Sequence, residues 1–146
     1  MAATWPNPAG AYRNAAWNGN GGSPAQIMLD TVDTAYPYTR LTSGAIIINR
    51  AGLVVVNAQA THGFGIQIQI RLNGSTVATG NNAATSTVSY TYVARPADSL
   101  TLWETDGLAG NSGGTGSTTT FMHVTPGGTN TPPYNAMQAV NRAAVY

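Results

Sequence analysis

The sequence predicts an all-β protein, an antiparallel β-sandwich or jelly roll with an irregular N-terminal arm and C-terminal tail. Three observations carry that prediction. Short strand-like runs separated by turn residues recur at regular spacing over residues 26–124. One of them, residues 64–72, alternates strictly, and Asn73-Gly74 directly after it supplies a hairpin turn. No helical period of any length precedes Pro133. At 146 residues the chain is one ordinary domain. It is long enough to bury roughly 70% of its unfolded surface.

Residues 1–25 have no period and contain three Pro, a run of Asn and Gly, and two Trp, so they read as an irregular arm. Trp5, Tyr12 and Trp17 are too many large aromatics for a disordered tail. The arm is therefore expected to dock, on its own β core or on a neighbour. Residues 27–32 form the first short strand, ended by Tyr36-Pro37-Tyr38. Residues 45–49 (AIIIN) have the pattern of a strand buried on both faces, and Arg50-Ala51-Gly52 turns the chain into residues 53–60 (LVVVNAQA). His62, next to Gly63, reads as a loop residue. In residues 64–72, Phe64, Ile66, Ile68, Ile70 and Leu72 are expected inward.

Residues 75–79 return from the hairpin, residues 80–84 form a loop, and residues 86–93 alternate again with Val88, Tyr90 and Tyr92 on one face. Pro96-Ala97-Asp98 is a turn. Residues 99–104 follow as a strand with Leu100 and Leu102 inward and Trp103 on the opposite face. Residues 106–116, rich in Gly, Asn and Ser, form a long exposed loop, and residues 117–124 close the series with Phe121 and His123 on one face. Residues 125–134 are irregular. Residues 135–146 allow a helical turn or two that is marginal alone and needs a surface to lie on. The expected organisation is an arm (1–25), a β domain (26–124) and a tail (125–146).

Composition narrows the function. Only 8% of residues are charged, against about 25% in an average soluble protein. The six basic residues are all Arg. A net charge of +1 gives no electrostatic footprint for nucleic acid or anionic lipid. No stretch approaches the roughly 20 apolar residues of a membrane helix, and no secretory leader is expected in residues 1–20. With no Cys, disulfides, thiolate chemistry and Cys-based zinc sites are excluded. A sparsely charged surface of small side chains favours association and suits a component of a larger assembly.

No constellation of nucleophile, base and orienting group is evident, and no phosphate-binding loop, nucleophile elbow or zinc-protease motif occurs. The chain is expected not to be an enzyme, with no catalytic residue, metal site or cofactor assigned. Asp30 with Asp33, and Glu104 with Asp106, are the pairs that could hold Ca²⁺; solvated turn roles, with Asp98 capping its turn, account for these residues better. His62 and His123 could meet only through folding. Trp103, beside Glu104, Asp106 and the Gly-rich loop, is a candidate sugar-stacking platform or a residue packed under its own loop. Tyr90, Tyr92, Phe121 and His123 are core or subunit-interface candidates.

The order of segments adds a resemblance. Gly52-Leu53-Val54-Val55-Val56 with Ala58, then Ile68 to Leu72 ending in Asn73-Gly74, then Ala97-Asp98-Ser99-Leu100-Thr101-Leu102, then Phe121-Met122-His123-Val124, together resemble the C1q and tumour necrosis factor superfamily. The resemblance covers residues 27–124. Departures are Ala97, where the family often has Gly, and Leu53, where it often has an aromatic residue. It implies a non-enzymatic jelly roll that associates as a homotrimer. Similar domains occur in bacteriophage virions. A Cys-free chain rich in Ala, Gly, Thr and Asn, whose basic residues are all Arg, fits a virion structural protein on the particle exterior, as a capsid decoration or minor tail protein. In that expectation Trp5, Tyr12 and Trp17 of the arm and Tyr134, Met137, Val140 and Tyr146 of the tail anchor it to major capsid or tail proteins. The alternative is a receptor- or glycan-binding module for host adhesion, using Trp103, Glu104 and Asp106. Nucleic acid and membrane are not expected partners.

Overall fold

In the computed structural model, which describes residues 9–34, 38–106 and 110–126, the molecule is organised around one long hairpin. The strands are β1 (Ala9–Tyr12), β2 (Ala25–Ile27), β3 (Thr31–Thr34), β4 (Thr39–Thr42), β5 (Ala45–Ile48), β6 (Gly52–Leu72), β7 (Ser75–Ala94), β8 (Asp98–Thr105) and β9 (Phe121–Pro126). No helix occurs among the described residues. Asn73 and Gly74 both take positive φ, 51° and 88°, the geometry that turns β6 back into β7.

The hairpin serves two layers. Residues 54–59 of β6 pair with β9, which continues to β1 and then β3. Residues 67–72 of β6 pair with β8, which continues to β5 and β4 and also to β2. β7 follows the opposite edge of β6 almost throughout. All pairings are antiparallel, and the result is a nearly closed sandwich. Between the layers lie Ile27, Ile46, Ile48, Val54, Val56, Ile66, Ile68, Ile70, Leu100, Leu102, Met122 and Val124. Each comes from an alternating strand with one face turned inward, which is why the period-2 positions of β6, β8 and β9 form one core.

Several expectations are corrected. The stretch expected to be wholly irregular before residue 26 contains β1, which lies between β3 and β9; its described part docks on its own domain. Residues 27–32 are not one strand: β2 ends at Ile27 and pairs with β8, β3 begins at Thr31 and pairs with β1, and between them Asp30 accepts the N–H groups of Asn14 and Ala15. β4 was not foreseen: Ser43 (φ 48°) and Gly44 (φ 76°) form a second tight turn that pairs Thr42 with Ala45. Residues 53–60 and 64–72 belong to one 21-residue strand. The expected loop at residues 80–84 lies inside β7.

Phe64 is 70% exposed rather than inward, and His62 is buried rather than in a loop. Gly65 at φ 92° and an irregular register between Thr61 and Ile66 interrupt the alternation at this point, and it resumes in the same phase at Ile66. Residues 117–120 precede β9 as a turn. The turn at Pro96-Ala97-Asp98 is as expected: Asp98 accepts the Arg95 N–H at 2.9 Å, and Ala97 sits at φ 74°. The left-handed backbone at Ala97 gives the physical reason a Gly suits that position. Trp5, Tyr134, Met137, Val140 and Tyr146, with the tail at 127–146, lie outside the described residues.

Candidate functional site: an outer sheet face and an open edge

The outward positions of the layer containing β9 form the first surface. Leu53 (40% exposed) and Val93 (66% exposed) are direct cross-strand partners on β6 and β7. Beyond them on the same face stand Val55, Asn57 and Gln59, then Phe121, His123 and Thr125 of β9, whose intervening Met122 and Val124 are fully buried. Phe121 and His123 stack at 4.7 Å between ring centroids. His123 Nε2 lies 3.2 Å from Asp33 Oδ2, so the pair spans β9 and β3 across β1. Gly10 of β1 lies directly beneath the His123 ring, and a Cβ there would displace that ring from its place. Tyr12 is the cross-strand partner of Phe121. Asn57, Gln59, Thr87, Ser89 and Phe121 line a shallow depression of about 340 Å³ on this face.

The edge beside this face is β7. Its 20 residues contain no charged side chain, and among the described residues it pairs with β6 alone. Edge strands of soluble monomers are ordinarily blunted by charge, Pro or a covering segment. Tyr90 and Tyr92, predicted as core or subunit-interface residues, are on its inward side. They stack at 5.3 Å and pack partly buried against the core, and the Tyr92 hydroxyl donates to Asp98 Oδ2 at 3.1 Å. Burial and the Asp98 carboxylate push the Tyr92 phenol well above its usual range. Burial raises Asp98 itself, but the Arg95 N–H, the Asn73 amide, the Tyr92 hydroxyl and the Arg95 charge outweigh it and hold that carboxyl below its usual range.

The outward positions of the other layer differ. The Arg71 guanidinium lies 3.9 Å over the Trp103 ring. Arg71 and Thr76 both donate to Gln69 Oε1, and Trp103 Nε1 donates to Thr101 Oγ1. The predicted ligand group therefore does not converge. Trp103 is outward as expected, but Arg71 covers a face of the ring on which a sugar would stack. Glu104 faces the interior at 1% exposure because it shares the inward phase of Leu100 and Leu102. Asp106 is exposed at φ 66° and accepts from Asn82 Nδ2 at 3.3 Å.

A third cluster closes one end of the sandwich. Trp17 Nε1 donates to Gly114 O at 2.8 Å, and its ring lies so close over Gly113 that a Cβ there would meet it at 1.9 Å. Buried His62 sits between Trp17 and Phe64, each 6.3 Å away by ring centroid. Its Nδ1 accepts the Phe64 N–H at 3.3 Å, which leaves Nε2 to donate to Asn111 O at 3.1 Å. Trp17, predicted as an anchoring residue, thus pins the 110–120 segment of its own domain. Asp30 is occupied as well: burial raises its carboxyl, but the Asn14 and Ala15 N–H groups, the Thr31 hydroxyl and Arg13 hold it below the usual range. Among the described residues no three His, Asp or Glu side chains converge, and His62 and His123 occupy separate places.

No family model and no curated protein matches the chain. Solved structures do. Murine APRIL at pH 8.0 superposes with a TM-score of 0.60 at 11% identity, covering 80% of this chain and 95% of that one. Eiger TNF from S. frugiperda gives 0.58 at 11% identity, covering 86% and 95%. The globular domain of zebrafish complement 1qA protein gives 0.56 at 9% identity, covering 82% and 95%. The architecture is an antiparallel jelly roll of the TNF/C1q type. At these identities the likeness is one of fold.

Proposed function

We propose that the protein is a non-enzymatic structural module that assembles as a homotrimer on the exterior of a bacteriophage particle, as a capsid decoration or minor tail protein. One observation carries the self-association: exposed Leu53 beside exposed Val93, bordered by a 20-residue edge strand without a charge. A second copy packed edge-to-face would cover both features at once. Structural neighbours of this fold are signalling or recognition proteins, which fits a non-catalytic role.

The particle reading rests on composition. With 8% charged residues and a net charge of +1, the chain is poorly suited to standing alone at high concentration. Residues 1–25 are too long a deletion to test anchoring, because β1 and Trp17 belong to the domain. Removing residues 1–8 together with 127–146 spares every strand of the described residues and is the informative truncation. The full chain, produced with the capsid and tail proteins of its genome, is expected on assembled particles in multiples of three. The truncated chain is expected to stay folded and trimeric but absent from them. Particles that assemble without the full chain, leaving it in solution, overturn the particle reading.

A further inference from the structure

The chain contains three Asn-Gly bonds, at residues 18–19, 20–21 and 73–74. In such a pair the glycine N, unhindered by a neighbouring Cβ, can attack Cγ of the preceding asparagine. A bond forms between that N and Cγ, and the side-chain nitrogen leaves as ammonia. Water then opens the succinimide at either carbonyl to give aspartate or isoaspartate. Water enters, ammonia leaves, and nothing is oxidised or reduced. The step requires a side chain free to swing over the next peptide and a glycine N–H that is not held.

The fold treats the three sites differently. Asn73 is held at both side-chain ends, its Nδ2 donating to Asp98 at 3.1 Å and its Oδ1 accepting the Ser99 N–H at 2.9 Å. Gly19 is buried and its N–H donates to Asn111 O at 3.0 Å. Asn20 is exposed, its amide makes one long contact of 3.4 Å to Ser23 O, and Gly21 and Gly22 follow in an exposed turn at φ 67° and 90°. No hydrogen bond of the Gly21 N–H is present among the described residues. We infer that Asn20 is a site of spontaneous modification, converting to aspartate and isoaspartate in the folded protein while Asn18 and Asn73 are protected. The new carboxylate cancels the formal net charge of +1, taking the chain to zero, the condition most favourable to association.

Peptide mapping with isoaspartate detection, on the full chain incubated at mildly alkaline pH with and without denaturant, tests this. In the folded chain Asn20 is expected to convert nearly as fast as in denaturant. Asn18 and Asn73 should lag it by at least about tenfold, because hydrogen bonds must open first. Denaturant should bring the three rates together. Asn20→Gln should abolish the acidic species seen on isoelectric focusing. Equal rates at the three sites in the folded chain, or an acidic species that persists in Asn20→Gln, overturns the inference.

Discussion

The two outer faces of the sandwich stand on the same pair of strands and the same alternation, yet they are finished differently. Over residues 67–72 of β6 the outward side chains are tied down: Gln67 donates to the Gly80 backbone carbonyl, Arg71 and Thr76 donate to Gln69, and Arg71 lies over Trp103. Over residues 53–59 the outward positions bring Leu53 against Val93 and leave both in solvent. Alternation tells which side chains face out. Whether the outward side is finished for water or for another surface depends on the residue types placed there.

The strongest way to break this contrast is to charge the apolar face. Leu53→Asp with Val93→Asp should weaken self-association by at least about a hundredfold, since burying each side chain is worth about 1.5–3 kcal/mol. The urea unfolding midpoint of the dissociated chain should fall only slightly, through the repulsion of two carboxylates placed opposite each other on paired strands, and sedimentation velocity with denaturant titration reads both quantities. A large fall in the unfolding midpoint with association intact would assign these residues to the fold instead.

The next effect lies where the long hairpin meets the turn before β8. Asp98→Ala leaves the Asn73 amide, the Tyr92 hydroxyl and the Arg95 N–H without their acceptor, at an expected cost of about 1–3 kcal/mol in denaturant unfolding. The depressed pKa fixes the sign of the pH effect. The contribution of Asp98 is complete above the unfolded carboxyl pKa of about 3.9 and disappears as pH falls through the lower folded value. Asp98→Asn should therefore flatten the acid limb of the stability curve.

A smaller change of opposite sign sits one residue earlier. Ala97→Gly should stabilise the chain by about 1 kcal/mol, because φ 74° is strained for a residue with a Cβ. Smallest is the Arg71–Trp103 contact, whose coupling in a double-mutant cycle should be about 0.5–1 kcal/mol. Both variants should leave the oligomer untouched, which sharpens the division between the faces.

Much of the fold was legible because its strongest signals are local. Asn73-Gly74 demands a turn of positive φ, and Ile66, Ile68, Ile70, Leu100 and Leu102 keep their phase in the structure. The misses have physical causes. β1 is held by partners more than 100 residues away in β9, as Tyr12 opposite Phe121 shows, and nothing local marks it. Phe64 leaves the core because the backbone is irregular beside Gly65, although the inward phase resumes at Ile66. Two misses had a readable signal: Ser43-Gly44 is a turn dipeptide that implies β4, and the phase of Leu100 and Leu102 already places Glu104 inward. The site was less legible than the fold. His62 and Trp17 meet only through packing, and the Arg71 cover on Trp103 depends on strand register.

The central claim is that the face bearing Leu53, Val93 and Phe121 joins copies of the chain. Its most direct test is the solution mass of the full chain by light scattering over a wide concentration range. The account predicts a stable mass of three chains that falls to one in the doubly charged Leu53, Val93 variant. A single-chain mass for the unaltered protein at every concentration would contradict it.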